Sequence, residues 1–262
     1  MTFYDRIAKQ WHQATGRKGG AFKELVLNDV LLRKLRTIEG LSILEVGAGN
    51  GYFSRLLLRH FSGQAPSRLV VTDQSGRLLD TAKDHSRIPE AEYRVLDVRQ
   101  RFPFDDNSFH VILASMVFNE LGSSDFRRAL KECRRVLSSD GLCLIAVTHP
   151  DFIDSLQKRG LLKLTREGTI TMPGSGSLRL PAVVRSSEAY RNSLTESGFR
   201  FEEEDVFPTR EVLNVKSGLR RAGKVPLALV FKCTKSIGSA SPADRSEVAA
   251  VQDELPTGNQ GR

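Results

Sequence analysis

Between residues 41 and 235, short apolar runs alternate with amphipathic stretches. Ser42–Val46 (SILEV) is an apolar run that ends in glycines. Residues 52–61 follow, with Phe53, Leu56, Leu57 and Phe61 on one helical face. Residues 68–72 (RLVVT) form a second strand ending at Asp73, and residues 77–84 read as the next helix. Residues 92–96 give a third strand ending at Asp97, and residues 110–114 (HVILA) give a fourth. Residues 125–137 place Phe126, Ala129, Leu130, Cys133, Val136 and Leu137 at helical spacing, behind Ser124 as a cap. Asp140-Gly141 predicts a turn before the fifth strand, residues 142–148 (LCLIAVT). Strands that alternate with helices predict a parallel sheet with right-handed crossovers. Both faces of such a sheet are covered, so its strands read as unbroken apolar runs.

The remaining segments have other patterns. Residues 1–40 read as helical and hold the single tryptophan, Trp11. Residues 150–185, with MPGSGS at their centre, read as a short helix and a turn-linked pair of weak strands. They follow the C-terminal end of the fifth strand, the edge at which doubly wound sheets bind ligands. Residues 187–197 predict a helix capped by Ser186 or Ser187 and stopped by Gly198. Phe199–Val206 alternates weakly, and residues 226–233 (PLALVFKC) are strongly apolar. No amphipathic helix lies between them, so they are expected to pair like a hairpin, joined by the long basic connection 207–225. Residues 236–262 are small and polar and cannot bury enough apolar area to offset their ordering entropy, so disorder is expected there.

The chemistry concentrates at the strand tips. Gly47-Ala48-Gly49-Asn50-Gly51 follows the first strand and opens a helix. Glycines allow a sharp turn and a close backbone approach, and the helix N-terminus presents N–H groups to a ligand. A dinucleotide fingerprint needs a glycine at the sixth position from Gly47, where this chain has Tyr52. Asp73 closes the second strand, where a carboxylate can accept both hydroxyls of a ribose. Asp97-Val98 closes the third. Each feature alone has a plain structural explanation: a tight connection, a helix cap, a strand end. Together, in order, they point to a nucleoside-bearing cofactor.

Glu45 followed by the GxGxG spacing resembles motif I of the class I methyltransferases. The segment Phe102-Pro103-Phe104-Asp105-Asp106-Asn107-Ser108-Phe109, and then RRVLSSDGLCLI, looks like the small-molecule branch of that family. His110 stands where that branch often has Asp. The resemblance is good over residues 40–150, loose over 186–235, and elsewhere a matter of placement. It implies an α/β, Rossmann-like doubly wound sheet of seven strands, the last antiparallel, with helices on both faces. It implies S-adenosylmethionine as cofactor. It implies that Glu45 serves the methionine end, Asp73 the ribose, and Asp97 with Val98 the adenine. Gly47, Ala48, Gly49, Gly51, Gln74, Ala114 and Ser115 complete the expected cofactor set. The expected division is a helical lid at residues 1–40, a methyltransferase domain at 41–235 with an acceptor-side insertion at 151–185, and the tail.

Catalysis is less defined. Methyl transfer is an in-line displacement that asks for alignment and, for some oxygen or nitrogen acceptors, for a base. Candidates lie after the fourth and fifth strands: Ser115, Asn119, Glu120 and His149, with Glu120 and His149 as the selected pair. His149 could equally fix a loop by hydrogen bonding. His12 is a weaker candidate. Tyr4, Trp11 and Phe22 either close over the pocket or pack the first helices on the sheet, with packing preferred for Phe22.

Composition narrows the field. Of 262 residues, 40% are hydrophobic and 27% charged, as in ordinary globular chains. No apolar run approaches the ~20 residues that span a bilayer, and the N-terminus has no apolar signal core. The expectation is a cytoplasmic protein with no membrane partner. Cys133, Cys143 and Cys233 are far apart and form no CxxC pair, so buried free thiols are expected and no metal site. The tail holds two basic and four acidic residues, which leaves 37 basic and 27 acidic in the body, a net +10. Lys216, Arg220, Arg221 and Lys224 cluster locally. A small-molecule acceptor is the preferred partner. Three rivals stay open: an RNA-directed methyltransferase using the basic body, an NAD-dependent oxidoreductase, and a non-catalytic cofactor-binding module. No (N/D)PP(Y/F) segment follows the fourth strand, which argues against base N-methylation.

Overall fold

A computed structural model describes residues 1–16, 19–86, 88, 91–162, 169–173, 179–215 and 225–236. The Lys216–Lys224 cluster and the expected tail beyond Ser236 lie outside the described residues.

Seven strands form one sheet: β1 (Ser42–Val46), β2 (Arg68–Asp73), β3 (Ala91–Val95), β4 (Phe109–Ser115), β5 (Leu137–Thr148), β8 (Phe199–Val206) and β9 (Ala228–Lys235). Their order is β3-β2-β1-β4-β5-β9-β8. Pairing is parallel from β3 to β5, and β9 runs antiparallel to both its neighbours. Leu44 pairs Val70 on one side and Ile112 on the other, at the centre of the sheet. Successive strand residues face opposite sides, so each strand feeds two cores. Ile43, Val71, Val111 and Leu144 pack with Phe53 and Leu57 of α3 (Tyr52–His60) and with α2 (Asn28–Leu32). Leu44, Val70, Ile112 and Ile145 pack with α5 (Ser123–Val136) and α7 (Ser187–Glu196). Helices thus cover both faces. All three cysteines are free and buried, as expected.

Two local readings are corrected. Ser124 does not cap α5: the helix begins at Ser123, Gly122 holds the cap position, and the Phe126 N–H bonds the Gly122 carbonyl at 2.8 Å. Asp125 in the first turn supplies the negative charge that the helix N-terminus favours. Asp140-Gly141 is not a turn between elements. Strand β5 starts at Leu137, opposite Phe109, and the next pair is Val111 with Leu142, so the extra residues are taken up in a register shift. Strand β3 is an edge strand and half exposed, with Val95 at 64%, which is why its sequence lacks the apolar run of its neighbours.

Around the C-terminal edge lie the segments that matter for function. Helix α1 (Phe3–Thr15) starts with a capping box between Thr2 and Asp5 and packs Tyr4 and Ala8 on Leu78 of α4 (Gly76–Ser86). A π-helical turn, Lys23–Leu27, leads into α2. After β5 come α6 (Pro150–Lys158) and the hairpin β6 (Thr169–Pro173) and β7 (Arg179–Val183), matching the expected helix and strand pair. No residue pattern in the connection before β9 announces α8 (Arg210–Val215).

Candidate active site

A cavity of about 620 Å³ opens at the C-terminal edge of β1, β2 and β4. One wall is the glycine turn. Gly47 and Gly49 have φ of 65° and 59°, in the left-handed region. A Cβ on Gly47 would lie 2.5 Å from Val117, and one on Gly49 3.4 Å from the Trp11 indole nitrogen. The turn is therefore sandwiched between the segment after β4 and helix α1.

Asp73 is clamped by backbone. Its Oδ2 accepts from the Gly49 N–H at 2.8 Å and its Oδ1 from the Ser75 N–H at 2.9 Å. Burial pushes its carboxyl up, and these N–H donors oppose the rise. Each oxygen keeps a lone pair for a further donor. Asp97 is held by Arg99, Nε to Oδ1 at 2.8 Å and Nη2 to Oδ2 at 2.7 Å, which keeps its carboxyl below the usual range.

Gly47, Ala48, Gly49, Asp73, Gln74, Asp97, Val98, Ser115 and Glu120 all line the cavity, so most of the expected set is brought together. Gly51 and Ala114 do not line it. Gly51, at φ 67°, precedes α3, and Ala114 is buried in the sheet. Glu45 does not line it either. Its carboxylate turns back to the backbone N–H and hydroxyl of Ser54 in α3, and burial lifts it to about 7.

His149 is the clearest correction. The ring is buried and absent from the cavity wall. Its Nδ1 accepts from the Asp151 N–H at 3.0 Å, capping α6, and its Nε2 lies 3.2 Å from Asp205 on β8. The loop-fixing alternative describes its position, capping α6 away from the cavity wall. His12 likewise does not line the cavity.

Several lining residues were missed or undervalued. Tyr4, Trp11 and Phe22 all reach the cavity. Lys23, from the π-helical turn, lines it too and lies over the Tyr52 ring at 5.1 Å. Its ammonium makes no hydrogen bond or ion pair among the described residues. Burial pushes its pKa down, and the nearby carboxylates of Glu45 and Asp73 push the other way. No periodic pattern marks residue 23; a lysine in an otherwise apolar helical entry was the only available signal. Asn119 is tied down, accepting from the Thr148 N–H at 3.0 Å and donating to Met116 at 3.2 Å. Met116 itself sits at φ 64°, an uncommon conformation for a non-glycine residue and one associated with functional turns.

Glu120, in the segment after β4, also lines the cavity. Its Oε1 accepts from the Tyr4 hydroxyl, across 116 residues of sequence. Its other oxygen has no partner among the described residues. Burial, and then the charge of Asp73, lift its pKa to about 7, while Tyr4 and Arg99 lower it.

The cavity fits S-adenosylmethionine in size and donor set. Its volume lies in the range of small-molecule sites. The unpaired Lys23 ammonium answers a carboxylate, and Asp73 a ribose. The Ser115 hydroxyl, buried at the wall, has no partner among the described residues.

Comparison with known proteins agrees. The sequence profile of the methyltransferase domain family matches residues 44–145. The chain is 37% identical over 110 residues to demethylmenaquinone methyltransferase from Thermotoga maritima, covering 41% of this chain and 44% of that protein. It is 29% identical over 174 residues to malonyl-[acyl-carrier protein] O-methyltransferase from Geobacter sulfurreducens, covering 64% and 61%. The chain spans less than two thirds of the length of the curated relatives it matches. An S-adenosylmethionine-dependent methyltransferase from Mesorhizobium loti shares the fold, with a TM-score of 0.61 and 21% identity over 82% of this chain and 98% of that one. The strand order and the matched segment agree: residues 44–145 match a methyltransferase domain, and they lie in a seven-stranded sheet of the fold that the Mesorhizobium loti methyltransferase shares.

Proposed function

We propose that this chain transfers the methyl group of S-adenosylmethionine to a small-molecule acceptor. The observation that carries the reading is one continuous cavity lined by the glycine turn, Asp73 and Glu120 together. Helix α1 and strand β7 line it through Tyr4, Trp11, Leu180, Pro181 and Ala182, a wall that suits a small acceptor. The two methyltransferase relatives are named for a quinone and a malonyl thioester on a carrier protein, which supports the same acceptor class. The RNA-directed reading rests on the basic body and on the cluster at residues 216–224, which lies outside the described residues, and the test below includes it.

In this proposal Lys23 holds the cofactor's carboxylate, Asp73 its ribose, and Val98 with Asp97 its adenine. Glu45 acts indirectly, holding α3 against β1 through Ser54. Bound S-adenosylmethionine supplies an electrophilic methyl group on a sulfonium. The protein's part is alignment, exclusion of water by residues 1–40 acting as a lid, and acceptance of a proton by Glu120. A carboxyl near 7 is poised for that exchange at neutral pH.

The test is release of S-adenosylhomocysteine by the purified chain with a panel holding a demethylated menaquinone, a malonyl thioester and short RNA. Turnover with a small acceptor supports the proposal. Turnover with RNA alone, or none while the cofactor binds, contradicts it.

A further inference from the structure

The contact between Tyr4 and Glu120 joins the first helix of the chain to the segment after β4, and both residues line the cavity. The phenol donates to one carboxylate oxygen and leaves the other without a partner among the described residues. A base needs this arrangement: one atom held by an orienting group, the other free to take a proton. Tyr4 is itself fixed by packing. Its ring stacks edge-on against Phe3 at 5.2 Å and Trp11 at 5.5 Å, and Trp11 covers Gly49 of the cofactor turn. Helix α1 therefore reaches both Glu120 and the glycine turn. Cofactor-side closure and base orientation are made by one rigid element.

We propose that Tyr4 is a positioning residue that aims Glu120 at the acceptor, and that the acceptor's attacking atom carries a proton. The inference rests on the methyltransferase reading above. It names oxygen or nitrogen nucleophiles, such as a phenol or an amine, and excludes thioethers, which have no proton to give. In the step, a lone pair of the attacking atom forms its bond to the methyl carbon. The carbon–sulfur bond breaks with its electron pair left on sulfur. The proton of the attacking atom passes to the free oxygen of Glu120. No oxidant or further reactant is required.

The charged groups acting on Glu120 are Asp73 from β2, which disfavours its ionised form, and Arg99 from the segment after β3, which favours it. The Tyr4 hydroxyl favours it too. Removing that hydroxyl moves the carboxyl's titration to higher pH, and the acid limb of the rate profile moves with it.

The experiment uses the full chain, Tyr4→Phe, Glu120→Gln and the double variant. Phenylalanine keeps the ring packing of residue 4, and thermal melts check folding of each. Carboxyl carbon NMR of glutamate-labelled protein follows Glu120 directly, assigned by its loss in Glu120→Gln. The expected result in Tyr4→Phe is a titration moved upward. Turnover is read with a catechol, a primary amine and a methyl thioether as probes. Expected are methylation of the catechol or the amine only, a loss of a hundredfold or more in kcat for Glu120→Gln, and a loss of about tenfold for Tyr4→Phe. The double variant should be no worse than Glu120→Gln alone, because Tyr4 acts through Glu120. An unmoved Glu120 titration, additive losses, or methylation of the thioether overturns the inference while leaving methyl transfer intact. Absence of cofactor binding in the wild type sinks the methyltransferase reading instead, and the NMR titration still decides whether Tyr4 governs Glu120.

Discussion

Two parts of the cavity wall are built by different means. Around the glycine turn the parts are largely backbone: left-handed glycines at 47 and 49, N–H groups that clamp Asp73, and a strand tip at Val98. The part proposed to meet the acceptor is made of side chains from remote segments: Tyr4 from α1, Glu120 after β4, Pro181 and Ala182 from β7. Backbone geometry is imposed by contiguous residues, so a few consecutive letters specify it. A side-chain constellation depends on how distant elements pack, and no local pattern announces it.

The contrast can be broken, the largest effect first. Gly47→Ala puts a methyl 2.5 Å from Val117 on a backbone at φ 65°. Left-handed strain of ~1–2 kcal/mol and overpacking of ~1–3 kcal/mol combine. Chemical denaturation should show a loss of about 2–5 kcal/mol, with cofactor binding abolished. Unchanged stability and affinity would mean that the turn is not the rigid wall described.

Lys23→Met separates site from fold. The ammonium makes no hydrogen bond or ion pair among the described residues, and burial disfavours its charge, so removing it leaves the melting temperature unchanged or higher. The affinity for S-adenosylmethionine should fall by roughly tenfold to a hundredfold, the worth of a charge-assisted hydrogen bond. A drop in melting temperature with affinity retained contradicts the role given to Lys23.

Glu45 allows a test by pH. Its carboxyl lies near 7 in the folded chain, above an ordinary glutamate's 4.5. The folded state thus binds a proton that the unfolded chain gives up. This stabilisation is full below about 4.5 and is lost as pH rises through 7. The melting temperature should fall by a few degrees over that window, and Glu45→Gln should flatten the fall. Glu120, lifted to about the same value, adds to the slope in the same direction. An identical pH profile in the glutamine variant would remove Glu45 as its source.

The smallest effect is expected at Asp97→Asn. Arg99 already pairs with both oxygens, so little of the carboxylate's charge remains to be offered. Cofactor affinity should drop only a few-fold. A loss as large as that of Lys23→Met would show that Asp97 turns from Arg99 to the ligand.

The central strands and their order of succession were legible because a covered parallel sheet demands continuous apolar runs, and β1, β2, β4 and the body of β5 have them. Strand β3 was legible mainly through Asp97 at its end, since an edge strand needs no such run. The glycine turn and Asp73 could be read because their geometry is local. Lys23 could not, because its meaning depends on Tyr52, Glu45 and Asp73 meeting it in space. Glu120 was legible as a polar residue past β4, but its partner Tyr4 was not. His149 misled because a histidine at a strand end serves equally as a base or as a cap, and only the Asp151 N–H decides between them.

Titration calorimetry of the full chain decides whether this cavity binds S-adenosylmethionine. NAD serves as the parallel ligand, and Asp73→Ala and Lys23→Met as variants. Saturable binding of S-adenosylmethionine is expected, weakened by both substitutions, with no heat from NAD. Binding of NAD in its place, or of neither ligand, would contradict the assignment of the glycine turn and leave only the α/β fold standing.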